Sequence, residues 1–220
     1  MADQNANASW RMGGITVAEV EDYLYAMLPA RDEVLTEMEA DAAKNDVAIV
    51  GPVVARVLYQ LATISGAKKV FEMGSAIGYS TIWWARAVGE GGRVVYTDGD
   101  PKKANKARNY FERAGVSQRI AVRVGDALEI LSEEKEPYDV IFNDVDKTDY
   151  PRVFRLALPR LKSGGLFITD NVLWSGKLSQ PNPDAQAKAI LEFNKLICES
   201  KELFTTILPI RDGVSVCVKK

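Results

Sequence analysis

Two short segments carry the residues best suited to chemistry. Asp144-Val145-Asp146-Lys147-Thr148-Asp149 follows the apolar run Val140-Ile141-Phe142, and Asp170-Asn171 follows Leu166-Phe167-Ile168. Asp144, Asp170 and Asn171 offer only oxygen donors. Such a set selects a hard divalent cation, Mg²⁺ first with Ca²⁺ or Mn²⁺ as alternatives, over zinc or copper. Lys147, three residues after Asp144, is placed to overhang the same pocket and act as a base. A lysine ordinarily titrates near about 10.4, so that duty requires positive charge nearby to push it down. The chain has no histidine, which excludes Ser–His–Asp and Cys–His catalysis and every His-ligated metal centre. Proton transfer falls to Lys, Asp, Glu or Tyr. The plain alternative is that the acids cap helices and form turns and that Lys147 is a solvated loop residue.

A second set of residues points to a nucleoside-type ligand. The run ending at Met73 passes through Gly74-Ser75-Ala76-Ile77-Gly78 into the helix-like Tyr79-Ser80-Thr81-Ile82. In such a strand–turn–helix, glycines let the backbone approach a ligand and helix amides face it. The turn has neither the Gly-x-Gly-x-x-Gly spacing of dinucleotide binders nor a phosphate-loop lysine. Glu72 would repel a pyrophosphate but suits an ammonium or sulfonium. Asp98, about 24 positions after Gly74, stands where α/β nucleoside sites hold ribose hydroxyls. Asp126 and Ala127, after Gly125, offer an acid and a small residue to border an adenine. In this order the residues make S-adenosylmethionine the leading ligand and disfavour a nicotinamide cofactor.

Positioning these residues requires strands that end at each of them. Apolar runs at 68–73, Arg93–Thr97, Ile120–Val124, Tyr138–Asn143 and Gly165–Thr169 alternate with helical patterns at 79–88, 101–114, 126–133, 150–161 and 184–199. That alternation predicts a doubly wound, mostly parallel sheet. Two last strands, Phe204–Pro209 and Val214–Val218, flank the turn Ile210-Arg211-Asp212-Gly213, so they form a hairpin and put one antiparallel strand among seven. Before the first strand come helices at Val17–Leu28, capped by Thr16 with Glu19, at Arg31–Lys44, and at Val53–Ile64 behind Pro52. Residues 1–66 therefore read as an N-terminal helical cap on a core of 67–220, one domain in all. Residues 1–14 are polar and irregular, with Trp10, Arg11 and Met12 able to fold over a site.

Composition narrows the function further. With 220 residues and a net charge of −2, nothing favours a nucleic-acid partner, and no stretch is long and apolar enough to span a membrane. The N-terminus lacks the pattern of a leader peptide, so a cytoplasmic protein is expected. Cys198 and Cys217 are expected as buried, reduced thiols. Trp83 and Trp84 are expected in the core. Lys102, Lys103, Lys106 and Arg108 are read as a solvated helix face, and Trp174 as a flank for an aromatic substrate.

The motifs Glu72-Met73-Gly74…Gly78-Tyr79-Ser80, Asp98, Gly125-Asp126-Ala127, Phe142 to Tyr150, Asp170 to Gly176 and Leu208 to Gly213 together resemble class I S-adenosylmethionine-dependent O-methyltransferases. They are closest to the cation-dependent catechol and caffeoyl-CoA group, over roughly residues 45–219. The resemblance implies a Rossmann-like fold and transfer of a methyl group to a phenolic hydroxyl of a vicinal diol. An alternative acceptor is a caffeoyl-CoA-like or other hydroxylated compound; Leu178–Asp184, without a basic residue to grip a CoA phosphate, makes a free catechol the preferred one. Residue by residue, the resemblance implies Glu72, Gly74 and Ser80 at the methionine end of the cofactor, Val50 as another cofactor contact and Asp98 on the ribose. Asp126 and Ala127 fall at the adenine, Asp146 on the cofactor amino group with Asp144 also at the cofactor, and Asp144, Asp170 and Asn171 on the cation, with Lys147 as base. Thr206 falls where the catechol enzyme has a carboxylate. The resemblance also implies a homodimer through the N-terminal helices.

Overall fold

The computed structural model describes Trp10 and residues 13–220; Arg11 and Met12, expected near the site, lie outside the described residues. Seven strands run in the order β3-β2-β1-β4-β5-β7-β6. They are β1 (Lys69–Met73), β2 (Arg93–Asp98), β3 (Ile120–Val124), β4 (Tyr138–Asn143), β5 (Leu161–Thr169), β6 (Leu203–Leu208) and β7 (Val214–Lys219). Pairings among β1 to β5 are parallel, whereas β7 runs antiparallel to both β5 and β6. The sheet is thus the mixed one expected, with β7 as its single antiparallel strand.

Strand alternation builds two cores from one sheet. Val70, Val140, Phe142 and Ile168 point to one face, where Trp84, fully buried, packs with Val54, Leu58 and Phe111. Phe71, Ile141 and Phe167 point to the other, against Leu131, Val153 and Phe193. Burial on both faces explains why these strands read as continuous apolar runs. The first face is covered by α3 (Gly51–Ile64), α4 (Tyr79–Val88) and α5 (Pro101–Arg113), the second by α6 (Ala127–Glu133), α7 (Tyr150–Ala157) and α8 (Ala185–Glu199). Ahead of them lie α1 (Ala18–Ala26) and α2 (Glu33–Asn45). Buried Glu39 of α2 accepts hydrogen bonds from Arg31 and from Tyr79 Oη at 2.7 Å, fastening this cap to α4. No described helix is long and apolar enough to cross a membrane.

Three local expectations are corrected. The cap of α1 is Val17 without a side-chain bond, because Thr16 Oγ1 donates instead to Glu21 at 2.8 Å. Glu21 is buried and also accepts from the Gly13 amide, so a tertiary acceptor outcompetes the local capping box. The helix starting at Tyr150 stops at Ala157 in a 3-10 turn containing Pro159, and β5 begins at Leu161 rather than Gly165. Cys217 is a buried free thiol, but Cys198 is exposed, since α8 buries Ile190, Phe193 and Ile197 and turns the next position outward.

Candidate active site

The carboxyl ends of the strands are stitched to one another, and this brings the acids together. Asp144 N donates to Met73 O at 2.9 Å, Asp170 N to Asn143 O at 3.2 Å, and Ser75 N to Thr97 O at 2.9 Å. Gly74 must be glycine at this seam: its φ is +83°, and a Cβ there would lie 2.4 Å from Asp144 O. The sheet order reverses between β1 and β4, the crevice where such folds bind ligands.

A cavity of about 480 Å³ opens there, lined by Gly74, Asp98, Asp144, Lys147, Asn171 and Trp174 among others. It adjoins a smaller one of about 210 Å³ bordered by Asp126 and Ala127, and both share Gly74, Asp98 and Val145. Asp146 also lines the larger cavity. Its Oδ1 accepts from Thr148 Oγ1 and Thr148 N at 2.6 and 2.9 Å, which holds its carboxyl below the usual range. Asp98 Oδ2 accepts from Ala76 N at 2.9 Å, fixing the carboxylate between the two cavities.

Glu72 and Ser80 lie beneath this surface. Glu72 is fully buried; its Oε2 accepts from Thr81 Oγ1, and its Oε1 has no partner. Burial raises its carboxyl above the ordinary range, the hydroxyls of Thr81, Ser80 and Ser75 around it partly offset this, and Asp144 adds to it. Such an orphaned oxygen suits a cationic ligand group. Val50 is buried at the start of α3 and does not line either cavity; its neighbours Ala48 and Ile49 line the larger one.

On the other side, Lys147 Nζ lies 3.0 Å from Asp144 Oδ1, 5.5 Å from the centre of the Tyr150 ring and 5.8 Å from that of Trp174. Asp170 is buried with its Oδ1 on the Asn171 amide and its Oδ2 without a hydrogen bond. Burial pushes its carboxyl up to about 7, the Arg211 guanidinium opposes this, and Asp144 and Asp212 add to it. Asp144, Asp170 and Asn171 fit a hard cation by donor chemistry, the bare Asp170 Oδ2 above all. No three Asp, Glu or Cys side chains among the described residues converge closely enough to hold an ion by themselves.

The sequence reading missed Arg211, Asp212 and Lys103, all of which line the larger cavity. Asp212 Oδ1 accepts from Asn171 Nδ2 at 2.8 Å. Thr206, in contrast, is exposed on β6 and lines neither cavity. Lys103 was assigned to a solvated face by its neighbours' charge; no local signal distinguishes it.

Asp126 has two separable duties. Its Oδ1 caps α6 by accepting from Leu128 N at 2.7 Å and Glu129 N at 3.0 Å. Asp126→Ala should cost about 1 kcal/mol, and Asp126→Ser, which keeps a cap, should retain most of it. If the carboxylate also touches a ligand, Asp126→Ser binds it more weakly at unchanged melting temperature; equal binding assigns the residue to capping alone.

Known proteins similar to this chain include O-methyltransferases. A family model described as O-methyltransferase matches residues 27–220. Catechol O-methyltransferase of Niastella koreensis is 33% identical over 214 residues, covering 91% of this chain and 96% of the relative. Probable caffeoyl-CoA O-methyltransferase 1 of Dictyostelium discoideum is 33% identical over 166 residues, 72% of each chain. Among solved structures, the O-methyltransferase from Bacillus cereus in complex with SAH superimposes with a TM-score of 0.83 at 34% identity, covering 92% of this chain and 97% of that one. The O-methyltransferase TomG from Streptomyces achromogenes, in complex with SAM, gives 0.83 at 28% identity, covering 92% and 96%.

Proposed function

Because the chain belongs to the O-methyltransferase family, we propose that it moves the methyl group of S-adenosylmethionine to a phenolic oxygen of a catechol-type vicinal diol, with a divalent cation required. The observation that carries this reading is the convergence of Asp98, Asp144, Lys147, Asn171 and Trp174 on one cavity that adjoins the Asp126–Ala127 pocket.

The chain's residues divide the work. The donor's amino group meets Glu72 and Asp146, its ribose Asp98, and its adenine Asp126 and Ala127. Trp174 flanks the acceptor ring. Lys147 Nζ, in its neutral amine form, takes the phenolic proton and becomes the ammonium, and the phenolate oxygen then attacks the methyl carbon as the carbon–sulfur bond breaks, leaving S-adenosylhomocysteine. Holding both partners in line supplies most of the acceleration. A divalent cation held by Asp144, Asp170 and Asn171 would supply positive charge that makes the phenol more acidic.

A second acceptor class, hydroxylated compounds bearing an acidic tail, is favoured by Lys103, which lines the cavity and has no ion-pair partner among the described residues. Purified protein with S-adenosylmethionine and Mg²⁺ should methylate members of a catechol panel that includes carboxylated ones, and EDTA should abolish the product. Absence of product from a protein that binds the donor would overturn the reading; product insensitive to EDTA would remove the cation alone.

A further inference from the structure

Arg211 connects the acid cluster to distant parts of the chain. It stands in the turn between β6 and β7 at φ +52°, a conformation that costs a non-glycine residue energy. Its guanidinium donates to Ile49 O at 2.9 Å and to Trp10 O at 3.4 Å, both carbonyls of the N-terminal segment. Nε lies 3.4 Å from Asp212 Oδ1, and Nη2 lies 3.8 Å from Asp170 Oδ2. That last oxygen is the one with no hydrogen bond. The backbone seating is equally close: a Cβ on Gly13 would lie 1.8 Å from the Arg211 carbonyl carbon. Among the described residues, Arg211 alone lines both the larger cavity and an apolar cavity of about 230 Å³ beneath α1.

We infer that Arg211 is a positioning residue that acts as the built-in counter-cation of Asp170 and Asp212, competing with a divalent cation for Asp170 Oδ2. The inference rests on the cation-dependent reading above. Three anchors besides Asp170 hold the guanidinium, so it stays in place when an ion approaches. Two positive charges then face one another across a carboxylate in a weakly screened site, and the ion binds less tightly than its oxygen donors alone would allow. In return, the acids keep a partner when no ion is bound, and the segment before α3 remains docked.

The full-length chain titrated with Mg²⁺ in a calorimeter separates the outcomes. Arg211→Gln should bind Mg²⁺ at least about tenfold more tightly than the wild type. Simple structural damage would weaken binding, so the direction is diagnostic. Arg211→Lys, which keeps the charge without the fork, should lie between the two. In EDTA, Arg211→Gln should melt below the wild type and recover more on adding Mg²⁺, a readout that survives even where the variant is too unstable to titrate. Heat in the wild type that Asp170→Asn abolishes but Arg211→Gln leaves unchanged overturns the competition alone. Heat in Arg211→Gln but not in the wild type supports it. Heat in neither overturns both the competition and the cation-dependent reading.

Discussion

Lys147→Met should lower kcat by roughly 10²–10⁴-fold, the usual contribution of a positioned general base, while the dissociation constant of the methyl donor stays within about twofold. Methionine preserves the apolar stem that packs beside Tyr150 and Trp174, whose ring centres lie 5.5 and 5.8 Å from Nζ. The ion pair with Asp144 is part-buried, so its loss should also lower the melting temperature. The defect should depend on the acceptor. A phenol acidified by a nitro group ionises without help, so it should regain most of the lost rate in the variant. A phenol of ordinary acidity should regain rate only as pH rises. A uniform defect across acceptors of different acidity would make Lys147 a positioning residue and leave the base unassigned.

The strand exits were legible because each apolar run ends in a residue type that a strand interior does not hold. Met73 is followed by a glycine, and Asp98, Asp144 and Asp170 are carboxylates at the ends of runs buried on both faces. The neighbouring of β4 and β5, on which the Asp144–Asp170 pairing depended, is the observed register, with Asn143 opposite Thr169. What the sequence concealed are long-range partners. Arg211 reads locally as a turn residue, yet its contacts are Ile49, Trp10 and Asp170. Thr16 followed a sound capping rule and lost to Glu21, a buried acceptor that also takes the Gly13 amide. Such substitutions of a tertiary partner for a local one occur where the N-terminal segment is held against the site.

Glu72 should exchange stability for donor binding. Its carboxyl has no exposure, its Oε1 no partner, and Asp144 adds a like charge nearby. Glu72→Gln keeps the shape and an acceptor for Thr81 but removes the charge. Losing one charge-assisted hydrogen bond, about 1.5–3 kcal/mol, weakens donor binding roughly 10–100-fold, with kcat at saturation little changed. The ligand-free protein should respond in the opposite sense. Burial raises the carboxyl in the folded state, so the unfolded chain releases that proton at a lower pH than the folded one. Wild-type stability is therefore whole below the ordinary carboxylate range and falls as pH rises toward the folded value, and the glutamine variant escapes this loss. The two proteins should melt together near pH 4, whereas at pH 8 the variant should be the more stable and melt at the higher temperature. Equal donor affinity in the two proteins would remove Glu72 from the ligand site. A variant less stable at pH 8 would show instead that the buried charge is compensated by contacts within the protein.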